Sequence, residues 1–174
     1  MQLAFAFDVA RCSGCMACIV ACLDQNDLPG TAHSFRHVSV FENGETAPPA
    51  ISFLSLSCLH CGDAPCVMVC PTGSLQKREP DGIVTFNQDV CVGCHSCALA
   101  CPFGAPQFPE GHKMAKCGFC HERIEAGLEP ACVRVCPTRA LRFGPVEKLT
   151  EETAKKASVN ILKVLSLGAA GAGL

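Results

Sequence analysis

The sequence predicts an α+β chain of short strands, single helical turns and much loop, folded around bound metal rather than a large apolar core. Three observations predict it. Sixteen of the 174 residues are cysteine, and they fall into four quartets with none left over. Short alternating apolar stretches flank three of those quartets. Large core-filling side chains are scarce, because ten Phe are joined by no Trp and no Tyr. With cysteine set aside, the apolar share falls to about 40%. Bound metal must then act as core, and metal loss should leave the chain largely unfolded.

The quartets come first. Cys12, Cys15, Cys18 and Cys22 are spaced C-x2-C-x2-C-x3-C, and Cys91, Cys94, Cys97 and Cys101 repeat that pattern. Cys58, Cys61, Cys66 and Cys70 read C-x2-C-x4-C-x3-C, and Cys117, Cys120, Cys132 and Cys136 read C-x2-C-x11-C-x3-C. The first pattern is the ferredoxin run that wraps a [4Fe–4S] cubane, its fourth cysteine serving another cluster. Three quartets also end in Cys-Pro, at Cys70-Pro71, Cys101-Pro102 and Cys136-Pro137. Disulfides compete poorly, since successive cysteines three residues apart cannot all pair without strained loops. The stronger competitor is a zinc-binding structural protein, because two C-x2-C pairs supply a tetrahedral thiolate site. Three thiolates within seven residues suit three corners of one cubane better.

Strands and helices follow from the residues around the quartets. Leu3, Phe5 and Phe7 alternate with Ala4 and Ala6, Ile83–Asn87 alternates in the same way, and Ala140–Phe143 closes the fourth quartet. All three are strand candidates. Ala17–Cys22 and Cys97–Cys101 read as single helical turns, and a proline after the last cysteine stops such a turn. Strand, cluster loop and short helix together make a ferredoxin-like α+β pattern. Glu42–Pro49 and Pro102–Gly111 are rich in turn-forming residues and read as linkers. The eleven residues between Cys120 and Cys132, His121–Gly127 among them, read as a surface excursion, either partner-facing or inert. Beyond Glu147 a polar helix-forming segment leads into an apolar end. That end, Val159–Leu174, holds Asn160 and Lys163 and is shorter than the roughly 20 residues that cross a bilayer. A docking helix and a disordered end both remain open, and no transmembrane span is expected.

The formal charge is −2 with cysteine counted neutral. Sixteen thiolates and four oxidised cubane cores bring the loaded chain to about −10. Nucleic acid is excluded as a partner, since phosphate binding needs a basic face. Lys77, Arg78, Lys113, Lys116, Arg134, Arg139 and Arg142 either offset cluster charge or form ordinary solvated surface.

Several segments carry a family resemblance: Arg11–Cys18, Cys58–Cys66, Cys101-Pro102-Phe103-Gly104, Lys116–Cys120, and above all Gly127–Cys132 through Cys136-Pro137-Thr138. From about Phe5 to Phe143 the chain resembles the four-cluster iron–sulfur subunits of the dimethyl sulfoxide and polysulfide reductase type. The resemblance implies nested ligation. Cys12, Cys15 and Cys18 would share a cluster with Cys136, and Cys117, Cys120 and Cys132 one with Cys22. Cys58, Cys61 and Cys66 would take Cys101, while Cys91, Cys94 and Cys97 would take Cys70. Two ferredoxin-like modules are implied, 51–105 inserted into 1–50 plus 106–145, followed by a helical tail at 146–174. Some relatives replace a ligand of the third quartet; this chain keeps Cys94, which implies four full cubanes. Cys22 precedes Leu23 rather than proline, a departure that bears on the local turn.

Four all-cysteine clusters leave no iron open to substrate, so the expected role is non-catalytic. The chain would relay single electrons to or from a large molybdenum- or tungsten-pterin catalytic subunit. In the family order the first-quartet cluster lies beside that subunit, and the path continues through the fourth, second and third. A flavin subunit, a ferredoxin or a membrane quinone subunit would stand at the far end. A free-standing polyferredoxin is the alternative. His60, Gly62, His95 and Lys116 lie beside ligands and either tune potentials, gate protons or simply shape loops. The N-terminus has no charged or long apolar stretch and no twin-arginine signal. A cytoplasmic location is therefore expected, with a membrane-associated complex compatible.

Overall fold

A computed structural model describes residues 1–30, 34–44, 50–109 and 113–170. Among these described residues, six strands and six α-helices alternate with loop. The order is β1 (Leu3–Phe7), a 3-10 turn (Val9–Arg11), α1 (Ala17–Gln25), β2 (Arg36–Asn43), β3 (Ala50–Ser57), α2 (Pro65–Met68), β4 (Leu75–Lys77), β5 (Val84–Phe86), α3 (Ser96–Ala100), α4 (His121–Glu125), α5 (Ala131–Arg134), β6 (Leu141–Pro145) and α6 (Val146–Ala170). The fold is thus α+β with short elements. The strands form three antiparallel pairs: β1 with β6, β2 with β3, and β4 with β5.

Two of these pairs do the same job at different places. β1 precedes the first quartet and β6 follows the fourth, with Leu3 opposite Pro145 and Phe7 opposite Leu141. β4 follows the second quartet and β5 precedes the third, with Leu75 opposite Phe86. Each pair therefore brings two cysteine-bearing segments back to back. The third pair is a longer hairpin that the sequence reading did not anticipate, and it spans position 50, where a module boundary was expected. The expected linker Glu42–Pro49 begins as the end of β2, and its residues 45–49 lie outside the described residues. In the second linker, Gln107 bridges Ala115, and residues 110 and 111 lie outside the description.

The helices next to the quartets obey proline. α2, α3 and α5 are four or five residues long and stop before Cys70-Pro71, Cys101-Pro102 and Cys136-Pro137. No proline follows Cys22, and α1 runs on through Leu23 to Gln25, nine residues in all. The departure seen at Leu23 thus lengthens the helix. The excursion after Cys120 holds one further helix, α4, ended by Gly127 at a φ of 74°.

Apolar packing is divided into small clusters rather than one core. Leu3, Ile83 and Phe119 form one of them, with Phe5, Ile124 and Phe143 packed against it. Phe119 is fully buried, stacks on Phe5 at 4.1 Å and takes the edge of His60 at 5.0 Å. Polar ties reinforce the same seam. Leu3 N donates to Asp81 O at 2.8 Å. Lys77 Nζ donates to Gln2 Oε1, Cys61 O and Gly82 O at 2.7–3.0 Å. The start of α6 rests on this body through Leu149, which is buried, and through ion pairs Arg142–Glu152 and Lys156–Asp8. Lys156 holds the Asp8 carboxyl below its ordinary pKa. Among the described residues no helix is long and apolar enough to cross a membrane, and residues 171–174 lie outside the description.

Gly14, inside the first quartet, shows how tightly a loop is held. Its φ is +69°, and a Cβ there would fall 2.3 Å from the Phe53 ring of the hairpin. Gly14→Ala thus combines left-handed strain of about 1–2 kcal/mol with overpacking of about 1–3 kcal/mol. The expected result is a thermal midpoint lower by roughly 5–10 °C, at about 2–4 °C per kcal/mol for this chain length. Differential scanning calorimetry of the loaded protein checks it, and an unchanged midpoint would refute it.

Candidate metal centre

Every one of the sixteen cysteines is free, and every one lines a cavity. Four cavities of similar size hold four cysteines each. The first, about 340 Å³, is lined by Cys12, Cys15, Cys18 and Cys136 and closed by Val38 and Ser55 of the hairpin. The second, about 320 Å³, has Cys22, Cys117, Cys120 and Cys132. A third of about 370 Å³ has Cys58, Cys61, Cys66 and Cys101, and a fourth of about 300 Å³ has Cys70, Cys91, Cys94 and Cys97. Each wall thus draws three cysteines from one quartet and one from another. Neighbouring cavities share elements. Cys18 and Cys22 lie one turn apart on α1, and α1 packs on α5, which carries Cys132. α2 with Cys66 and α3 with Cys97 pack in the same way.

The cysteines line voids rather than converge on a point: among the described residues no three His, Cys, Asp or Glu could hold a single metal ion. The sulfurs are nevertheless supplied with donors. Phe119 N donates to Cys117 Sγ and Met114 N to Cys91 Sγ, each at 3.4 Å, and Asn26 Nδ2 donates to Cys22 Sγ at 3.6 Å. Cys18 Sγ sits 3.5 Å from Ser55 Oγ. Burial pushes the thiols of Cys58, Cys66, Cys97, Cys117 and Cys120 up, and that of Cys132 up to about 12. Cys70 and Cys136 behave alike at equivalent places. Burial works to raise them, but backbone N–H groups near Leu75 and Leu141 and the hydroxyls of Thr72 and Thr138 leave both below the ordinary value. The Ser96 hydroxyl lowers Cys94.

Thiols buried like this hold thiolate charge only beside a strong positive partner. Soft thiolate ligands, four to a cavity, with N–H and hydroxyl groups aimed at sulfur, fit an iron–sulfur cluster.

Two family models, each described as a 4Fe-4S dicluster domain, match the chain over the overlapping spans 11–74 and 49–146. A search of curated proteins finds the probable anaerobic dimethyl sulfoxide reductase chain YnfG of Escherichia coli, 43% identical over 168 residues, or 91% of this chain and 80% of the relative. The B subunit of the anaerobic dimethyl sulfoxide reductase of the same species is 42% identical over the same spans. This protein belongs to their family of iron–sulfur subunits. The thiosulfate reductase electron transfer subunit PhsB of Salmonella typhi is also similar, 42% identical over 84% of this chain and 78% of its own length. PhsB is named an electron transfer subunit and the other two are chains of dimethyl sulfoxide reductases; this chain is of that non-catalytic, electron-transferring kind.

The residues singled out beside the cysteines take structural positions. His95 caps α3 in the left-handed region at a φ of 63° and stacks on Phe108 at 3.7 Å. Gly62 is exposed and its Cβ position is open. His60 is buried. Its Nδ1 accepts from Val84 N at 2.9 Å, which puts the ring proton on Nε2, an atom with no partner among the described residues. Desolvation, then Lys116 and Lys77, keep the ring neutral by lowering its pKa. Of the basic residues named, Lys113, Arg134 and Arg139 are exposed, while Lys116 is 1% exposed and donates to Val84 O and Cys117 O. Sequence reasoning missed Arg36, which lines the second cavity. No motif marks it; only the register of the β2–β3 hairpin places it.

Proposed function

We propose that the chain carries four [4Fe–4S] clusters and relays single electrons to or from a large molybdenum- or tungsten-pterin catalytic subunit. The observation that supports this most is the four-by-four gathering of cysteines around cavities of nearly one size. The ligand sets follow the cavity walls: Cys12, Cys15, Cys18 with Cys136; Cys117, Cys120, Cys132 with Cys22; Cys58, Cys61, Cys66 with Cys101; Cys91, Cys94, Cys97 with Cys70. Each bound cluster supplies one reversible electron and no open coordination site. The chain's own residues hold the thiolates, shield them from water and donate hydrogen bonds to sulfur.

Two ferredoxin-like modules follow, 51–105 inserted into 1–50 plus 106–145, except that β3 stays with the outer module through its pairing with β2; β1–β6 closes one and β4–β5 the other. Cys15 and Cys94, in the first and fourth cavities, are exposed. They mark the two ends at which electrons enter and leave. A flavin subunit, ferredoxin or membrane quinone subunit would meet the end opposite the catalytic subunit, in the cytoplasm or on a membrane-associated complex. What the relatives' names say of dimethyl sulfoxide and thiosulfate makes an oxidised sulfur compound the substrate class of the partner.

The test is compositional. Anaerobic purification of the native complex should return about sixteen iron and sixteen sulfide per chain, together with a pterin-bearing large subunit. A colourless, folded, zinc-loaded chain would overturn the cluster reading. A stable four-cluster chain that purifies alone from its host would overturn the subunit reading in favour of a free polyferredoxin.

A further inference from the structure

The two inner cavities each have a buried cation in the wall, and among the described residues the two outer ones have no Lys, Arg, Asp or Glu. Arg36, 3% exposed, borders the cavity of Cys22, Cys117, Cys120 and Cys132. Lys116, 1% exposed, borders the cavity of Cys58, Cys61, Cys66 and Cys101. Both are held in place by neutral groups. Arg36 donates to Ser55 Oγ at 3.1 Å and Ser57 Oγ at 2.7 Å, and its guanidinium lies 4.9 Å from the Phe5 ring centre. Lys116 donates to the carbonyls of Val84 and Cys117. Among the described residues neither cation is paired with a carboxylate.

A buried charge without a counter-charge is costly, and such groups are normally paired or bound to something. The nearby groups able to carry negative charge are the cavity cysteines. Arg36 is the leading favourable charge on Cys117 and Cys132, and Lys116 on Cys58. The same pairing acts on electron affinity. Adding an electron makes a thiolate-bound cluster more anionic. Burial opposes that change, and a fixed cation favours it. The inner cavities include Cys22, Cys58, Cys66 and Cys132, all buried, whereas each outer cavity has an exposed cysteine. Without compensation, the middle of the chain would be the hardest place to put an electron.

We infer that Arg36 and Lys116 are positioning residues that hold up the reduction potentials of the two central clusters, keeping the buried middle of the relay accessible to electrons arriving from its exposed ends. The inference rests on the four-cluster reading above. Arg36 acts on the Cys22 set alone, whereas Lys116 lines the Cys58 set and acts more weakly on Cys117, so the largest shift of each variant falls on a different cluster. Arg36 also joins the relay to the hairpin, since Ser55 contacts both the guanidinium and Cys18 Sγ.

The test is a redox titration of the loaded complex followed by electron paramagnetic resonance. Arg36→Gln should lower one midpoint by at least a tenfold change in the oxidised-to-reduced ratio, about 59 mV for one electron, and leave the other three in place. Lys116→Gln should lower a different midpoint by a similar amount. Arg36→Lys should restore most of the first shift, which a purely structural role would not require. Full iron with no midpoint moved, or with all four moved together, would overturn the inference. Should Arg36→Gln fail to load, Lys116→Gln decides alone. Failure of the cluster reading is distinguishable, because it appears as missing iron in the unsubstituted chain before any midpoint is measured.

Discussion

Anaerobic removal of iron by a chelator unfolds the protein. Far-UV circular dichroism should collapse toward a coil spectrum, and proteases should cut throughout residues 1–145. The reason lies in how the interior is built. Cys22, Cys58, Cys66, Cys97 and Cys132 count among the buried residues, and three of the four small apolar clusters include a cysteine. Four cysteine-lined cavities open between them, where a packed interior would hold side chains in contact. Two buried cations would also lose their counter-charge. Structural metal binding in small domains supplies on the order of 10 kcal/mol of folding free energy, more than a chain with this little apolar core can replace. The 25-residue α6 does not rescue the signal, since an isolated helix is marginal in water. Retention of the native spectrum by an iron-free sample would refute the expectation.

Phe119→Ala should be the most damaging single substitution outside the cysteines. Phe119 is 0% exposed and lies where Leu3 of β1, Ile83 beside β5 and the His60 loop meet. Deleting a buried phenyl ring costs about 3–5 kcal/mol. Its φ of 63° adds to the loss. A bulky residue in the left-handed region is strained, and here the ring's packing holds that conformation in place. Alanine keeps the strain and removes what sustains it. The loaded variant should melt roughly 10 °C or more lower and lose iron during purification. Because the ring also presses against the loop carrying Cys58 and Cys61, thermal loss of visible cluster absorbance should track unfolding. A variant that melts within a few degrees of the parent would refute this.

The sequence was most legible where metal chemistry constrains it. The quartets, the strands around Leu3–Phe7 and Ile83–Asn87, and the helical turns stopped by Cys-Pro all follow from spacing and from the missing N–H of proline. The β2–β3 hairpin was not read, although it is the longest pair. Its inward face carries Arg36, Val38, Phe53, Ser55 and Ser57, a mixture of apolar, polar and charged residues, because that face looks onto cavity walls and a guanidinium rather than onto a hydrocarbon core. Hydrophobic period two is therefore broken where the strand is most buried. β4 is only three residues long, too short for any periodicity. Arg36 was hidden for a related reason. Its role depends on a cross-strand register in which Ser57 lies opposite it, information that no local window contains.

Each quartet ends with a cysteine four positions after its third, at or just past one turn of helix, and those two sulfurs face different cavities. The helical pitch of about 5.4 Å thus works as a ruler, and the same ruler is applied four times along the chain. The segment between Cys120 and Cys132, by contrast, spans eleven residues and a helix of its own. Length can drift there freely. One residue inserted between Cys18 and Cys22 would swing the second sulfur by about 100° around the helix axis, out of its cavity. A change of length is therefore tolerable only where no such measurement is made, and the spacing between neighbouring cavities is a unit that no single-residue insertion can adjust by a small step.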